Sequence, residues 1–380
     1  MNHDIEKRYS IEPFQSAVKT VLDSRLRTKT APVIVMQGGF GKKNTGDDTL
    51  LLVAKDYIEK LYPSARIVAL CHNPEFLKQY RIEGVRFKSL RAIRLILSMD
   101  ALIVPAGGLT NNIDYNSKLR SLLNPRGKVV LISLLISIIR GIPSILYGVG
   151  IHEIPDFIVY ALLRITIPRV SVVGVRDRYS VDFLEKIGVN KYYFFHDPAI
   201  CYKGNLLMGW NEYKRLSGIE FEKYIVLNIR LVKERALTNH VISEISRYLR
   251  WLSECYPDYG VVFLPFSIHP TFETENDVLA FKKVESTIRR MNVPLRYIII
   301  STYQTANDIQ MIASHAELLI LARHHAPVLT YHCRIPTIIL SYNIKCREFA
   351  ELAEYQYVLD YNAITHDKMQ KLTRAILGHI

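Results

Sequence analysis

Residues 317–345, ELLILARHHAPVLTYHCRIPTIILSYNIK, decide how this chain is read. The segment opens with an apolar run, 318–321, bounded by charge and of buried-strand length, and delivers Arg323, His324 and His325 where such a strand should end. A second apolar run, 337–340, follows Pro336 and ends in Ser341, Tyr342 and Lys345. As strand, helix, strand, the segment puts a guanidinium and two imidazoles at the carboxyl edge of a parallel sheet, where open α/β folds bind ligands and where an anion is easily held. The same triplet also reads as a helix start whose side chains only cap and face solvent. The rest of the chain has to decide.

Working outward toward the middle of the chain, the same alternation recurs. Strand 224–229 ends at Arg230, helix 239–255 follows, and strand 261–266 ends at Ser267 and His269. Helix 275–290, strand 296–300 and helix 306–314 lead back to the opening segment, and helix 368–377 closes the chain. On the amino-terminal side, strand 33–37 runs into GGFGKKNTGDDTLL. Its Gly38, Gly39, Gly41 and Gly46 allow a tight turn, and Asn44, Asp47 or Asp48 can cap the helix that follows. Free amides at a helix start attract phosphate or carboxylate, although a glycine-rich turn is as often only a turn, and this one is neither a Walker loop nor a dinucleotide fingerprint.

Strand 66–70, helix 74–80, strand 85–87 and helix 91–98 continue the pattern. Strand 101–104 then meets PAGGLTNN, where Gly107 and Gly108 let backbone approach a ligand. Helix 129–139, strand 144–148 with the turn GVGIHEI, strand 171–175 ending at Arg176-Asp177, helix 180–187, and strand 192–195 ending at His196-Asp197-Pro198 complete the first half.

Repetition of this kind predicts an α/β protein of two doubly wound, Rossmann-like domains facing a cleft. The expected partition is a leader helix over 1–30, an N-terminal domain over 31–205, a connection over 206–222 and a C-terminal domain over 223–380. A length of 380 residues agrees, since it exceeds what one hydrophobic core usually organises. Hydrophobic residues at 49% and charged residues at 22% exclude extended disorder.

An excess of 49 Lys and Arg over 36 Asp and Glu favours anionic partners: phosphorylated metabolites, nucleotide- or lipid-linked sugars, or an acidic membrane face. Nucleic acid is not expected, because the basic residues are scattered and not interleaved with aromatics. Five distant cysteines argue for a reducing compartment, against a disulfide frame and against a zinc knuckle. The polar N-terminus lacks a signal peptide's apolar core, so a cytoplasmic protein is expected. FIVYALLRITIPRV, 157–170, leaves room for peripheral contact at the inner face of the membrane, against the alternative of a plain core helix.

The order of these motifs resembles the polysaccharide pyruvyl transferase family. The resemblance is carried by Asn44-Thr45-Gly46-Asp47-Asp48, Ala106-Gly107-Gly108-Leu109, Gly148-Val149-Gly150-Ile151 and Val175-Arg176-Asp177-Arg178 with Ser180. Asp197-Pro198-Ala199, Pro265-Phe266-Ser267 with His269-Pro270, and Arg323-His324-His325-Ala326 with Pro336, Ser341-Tyr342 and Lys345 complete it. It implies a GT-B-like cell-envelope enzyme, with the N-terminal domain on the acceptor side and the C-terminal domain on the donor side, that moves the pyruvyl group of phosphoenolpyruvate onto two hydroxyls of a glycan or lipid-linked sugar, forming a ketal and releasing phosphate. Phosphoenolpyruvate is then a co-substrate, with no cofactor and no metal. Arg323 and His325 would hold the donor, with Arg230 as a second donor-binding arginine. Arginine forks suit the donor's carboxylate and phosphate.

The reaction also needs an acid at the methylene carbon and a base on the sugar hydroxyl. His325, His269 and Asp197 are the candidates, with His196, His152 and Asp177 as others, and for Asp177 and Asp197 a cap or turn role is equally open. Gly39, Asn44, Asp47, Gly107, Gly108 and Arg176 would form the acceptor-side loops. Two other readings stay open: a GT-B glycosyltransferase using a nucleotide-sugar donor, and a catalytically silent scaffold that only binds glycans.

Overall fold

A computed structural model describes residues 10–109, 125–151, 157–204 and 209–378. His152, the end of the second glycine loop and the start of the expected connection lie outside the described residues. The chain forms two compact units. Unit one runs up to Lys42 and from Asp47 to Cys201, and unit two takes Lys43–Gly46 and everything from Tyr202 onward.

Unit one contains α1 (Glu12–Leu26), β1 (Val33–Gln37), α2 (Thr45–Leu61), β2 (Arg66–Cys71), α3 (Pro74–Leu77), β3 (Glu83–Arg86) and α4 (Leu90–Ser98). These are followed by β4 (Ala101–Val104), α5 (Pro125–Ile139), β5 (Ser144–Val149), α6 (Phe157–Thr166), β6 (Val172–Val175), α7 (Arg178–Lys186) and β7 (Tyr193–Phe194). Its seven strands are parallel, in the order β3-β2-β1-β4-β5-β6-β7. β1, β4, β5 and β6 are near-continuous apolar runs because helices cover the sheet on both sides. Val35, Leu102, Leu146 and Val173 pack in one cluster with residues of α4, α5, α6 and α7, so those four helices share one face.

The opposite face takes α1. Phe14 stands 5.0 Å from the Tyr147 ring and 4.8 Å from Phe195, and a Cβ on Gly174 would come within 2.6 Å of it. The helix expected as a leader is therefore part of unit one's core.

Unit two contains α8 (Trp210–Ser217), β8 (Lys223–Asn228), α9 (Arg235–Cys255), β9 (Tyr259–Phe263), α10 (Asp277–Arg290), β10 (Tyr297–Ile299) and α11 (Ala306–Ser314). Then come β11 (Leu318–Leu321), α12 (His325–Thr330), β12 (Thr337–Ser341), α13 (Ile344–Leu352), β13 (Tyr357–Asp360) and α14 (His366–Leu377). The six strands are parallel, in the order β10-β9-β8-β11-β12-β13. Strand order reverses between β8 and β11, so their outgoing loops part at a switch point. Within the expected connection the chain forms α8, whose Trp210 ring stacks 4.2 Å from His315 and whose C-cap Gly218 is left-handed. It belongs to unit two.

The segment Lys43–Gly46 is a guest in unit two. Asn44 bridges Ser267, the Thr45 amide donates to the Phe266 carbonyl at 3.0 Å, and the Ile268 amide donates to the Lys43 carbonyl at 2.9 Å. The Thr45 hydroxyl also donates to the Gln304 carbonyl at 2.7 Å. No helix among the described residues is long and apolar enough to cross a membrane.

Candidate functional site

Arg323 and Arg230 leave the ends of β11 and β8, on either side of unit two's switch point. Asn228, the last residue of β8, organises both. Its side-chain amide donates to the Leu264 carbonyl at 3.1 Å and to Asp277 at 3.0 Å, and its side-chain oxygen accepts the Arg323 amide at 3.1 Å. Asp277 is fully buried and also accepts the amides of Phe266, at 2.9 Å, and Ser267, at 3.2 Å.

Arg323, expected to hold the donor, is buried and paired within unit two. Arg323 is only 6% exposed; its Nε donates to Asp277 at 2.8 Å, one terminal nitrogen pairs with Glu275, and the other donates to the Thr274 carbonyl at 3.2 Å. Burial opposes its charge, but Asp277 and Glu275 outweigh that and raise its pKa further above the usual arginine range. A buried guanidinium survives only with such partners.

Arg230 shares Glu275, donating to it at 3.0 Å and to the Thr274 carbonyl at 3.0 Å, while its guanidinium carbon lies 4.2 Å from the centre of the Tyr342 ring. Glu275 is thus held between two arginines with its side chain 37% exposed. Burial pushes its carboxyl up, yet Arg323 and Arg230 together bring it down to about 2. Two arginines and two carboxylates leave this cluster formally neutral. An anionic ligand gains full access to the guanidiniums only when Glu275 moves aside.

His325 is the first residue of α12, beside the guest segment: a Cβ on Gly46 would fall 2.1 Å from its ring, so only glycine fits. Asn44 accepts the Gly46 amide at 3.2 Å and caps the start of α2 there. The Nδ1 of His269 accepts the amides of Thr271 at 3.1 Å and Phe272 at 3.2 Å. These two bonds make the His269 ring an anchor of the loop that follows β9.

In unit one Asp197 and Arg176, expected as base and acceptor residue, are paired with each other, their side chains 1% and 3% exposed. Arg176 also donates to the Gly107 carbonyl, which ties the β4 loop to the ends of β6 and β7. Asp177 caps α7 by accepting the Ser180 amide at 2.9 Å, and the Ser180 hydroxyl in turn accepts the Ile151 amide at 2.7 Å. His196 is buried. Asp47 lies over Gly39, where a Cβ would stand 2.9 Å from its carboxylate oxygen.

Gly39 and Gly108 line a cavity of about 250 Å³. Lys42, His72, Arg86 and Lys88 make its walls basic, and Phe87, Leu109, Val129 and Val130 make the remainder apolar. Cys71 also lines it, but burial pushes that thiol up to about 12, too high for a nucleophile. Neither Glu275 nor Asn228 stands out by motif. TFETEND, a run of carboxylates spaced two apart in a basic chain, and a lone asparagine ending an apolar strand were the available signals.

The fold is that of GT-B proteins. UDP-GlcNAc 2-epimerase from Methanocaldococcus jannaschii matches with a TM-score of 0.60 at 14% identity, covering 91% of this chain and 93% of that one. The Neisseria meningitidis UDP-GlcNAc 2-epimerase bound to UDP-GlcNAc gives 0.54 at 14% identity, covering 91% and 92%. A glycosyltransferase from Rickettsia africae gives 0.54 at 11%, covering 92% and 89%. At these identities the likeness concerns the fold alone. No curated relative matches the sequence. The family description "Polysaccharide pyruvyl transferase" matches residues 44–344, from the capping Asn44 through both switch-point arginines and His325 to the first residue of α13, and the chain belongs to that family.

Proposed function

We propose that the chain transfers the pyruvyl group of phosphoenolpyruvate to two hydroxyls of one sugar in a cell-surface polysaccharide or glycan, yielding a ketal and inorganic phosphate. The observation that carries this reading is the convergence of Arg230 and Arg323 on a single carboxylate beside the switch point. The donor's carboxylate matches that of Glu275 in shape and charge, so it can take the same place between the two forks. The exchange requires a swing of one partly exposed side chain.

In the reaction the first hydroxyl adds to the enol carbon and the methylene carbon takes a proton to become a methyl group. The second hydroxyl then displaces phosphate at the same carbon. Of the two hydroxyl protons, one balances the proton delivered to carbon and the other leaves with phosphate. His325 is the acid in this scheme, at the start of α12 beside Gly46. Glu275 is a poor base while the arginines hold it near 2. Displaced from them, it recovers basicity and can take a sugar proton. The basic and apolar cavity of unit one supports an acceptor that carries an anionic group.

Incubating the chain with phosphoenolpyruvate and cell-surface glycan extracts tests the reading. The expected result is phosphate release together with a glycan mass gain of pyruvic acid less one water. Turnover of a nucleotide sugar, with none of phosphoenolpyruvate, would establish the glycosyltransferase in its place.

A further inference from the structure

Eight of the twelve exposed large hydrophobics among the described residues lie on α4, α5 and α6, the adjacent helices that share one face of unit one's sheet. Leu90, Ile93 and Leu97 recur along α4 at helical spacing and are 74%, 55% and 55% exposed, while Ile139 of α5 reaches 76% and Phe157 at the start of α6 reaches 81%. Each helix already buries a second apolar side in the core, through Ala92, Leu95 and Ile96 on α4, for example. The outward residues are therefore surplus to folding.

The charge on these helices is one-sided. LRAIRLILS, PRGKVVLISLLISII and FIVYALLRIT contain no Asp or Glu. Arg94 and Arg164 are exposed and have no ion-pair partner among the described residues. Scattered exposed hydrophobics are ordinary, but a concentration of them among unopposed cations is the pattern of a surface that settles into lipid headgroups.

We infer that the outer face of α4, α5 and α6 docks on an anionic phospholipid bilayer, its apolar side chains entering the headgroup boundary and Arg94 and Arg164 meeting lipid phosphates. A second copy of the chain fits less well, because a self-complementary interface brings together helices that carry no Asp or Glu of their own to meet Arg94 and Arg164. The contact is interfacial and non-spanning, as the helix lengths require.

Flotation of the full chain with phosphatidylcholine vesicles, with and without phosphatidylglycerol, tests the inference without any substrate. Binding is expected only with phosphatidylglycerol present, and should weaken as salt rises. Arg94→Gln and Arg164→Gln should each lower partitioning about fivefold. Leu90→Ser combined with Phe157→Ser should lower it at least about tenfold. These exposed positions leave the thermal transition and the use of phosphoenolpyruvate with a soluble acceptor unchanged, so failure here is separable from failure of the pyruvyl-transfer reading. Three outcomes would overturn it: no flotation with anionic vesicles, undiminished binding by the variants, or self-association abolished by the same substitutions with no vesicle binding.

Discussion

At position 323 a single guanidinium gives three hydrogen bonds to its own unit, and the consequences divide between stability and catalysis. Arg323→Ala leaves Asp277 buried without its main charge partner and should cost about 3–5 kcal/mol in urea unfolding. Arg230, whose partners are the more exposed Glu275 and the Tyr342 ring, should behave differently. Arg230→Ala is expected to raise the donor KM at least about tenfold, with a smaller loss of stability. Glu275→Gln separates KM from kcat: removing the competing anion should lower the donor KM, and removing the base should lower kcat.

The same carboxylate predicts a pH dependence. It sits at about 2 in the folded chain and at about 4.3 when unfolded. Its contribution to stability is therefore full above the unfolded value and is lost as pH falls through that value toward the folded one. Acid titration of unfolding should show a shallower decline for Glu275→Gln; an identical profile would mean the two arginines do not hold this group in solution. The sequence makes the arginines visible and hides their partners. Asp277 lies 46 positions from Arg323, and no local pattern announces an ion pair formed across three strand ends.

Among the elements, the parallel alternation was readable because strands buried on both faces are apolar throughout, as ALIV and LLIL are. α8 was not. WNEYKRLS buries none of its residues, and it is attached by the Trp210 ring, which stacks on His315, and by the Tyr213 hydroxyl, which donates to Gln304 at 3.3 Å, contacts no periodicity reports. The first turn of α2 was legible as a capped glycine loop, but not as a guest in unit two. Gly46→Ala tests that placement: the added methyl cannot coexist with the present position of the His325 ring, so turnover should fall at least about a hundredfold if His325 is the acid. Gly41→Ala should act on stability instead, because Gly41 has φ +75° and its Cβ would lie 2.9 Å from the Asn73 amide nitrogen. A loss of about 1–3 kcal/mol is expected in thermal or urea melts.

For the molecule as a whole, two cores imply two places where stability is lost. Phe14 is fully buried among Tyr147, Tyr193 and Phe195, although its helix reads as a mere leader. Phe14→Ala should destabilise unit one by about 3–5 kcal/mol. Scanning calorimetry should find one transition lowered while the transition of the other unit keeps its temperature.

Thr45 waits for a carbonyl 259 positions further along the chain. During synthesis on the ribosome, the start of α2 therefore emerges long before Phe266, Gln304 and His325 exist to receive it, and its finished geometry is among the last parts of the molecule to form. A carboxyl-terminal fragment made separately would contain every strand of its sheet and still lack these four early residues. Supplying them as a short peptide should restore order to the loop around Ser267.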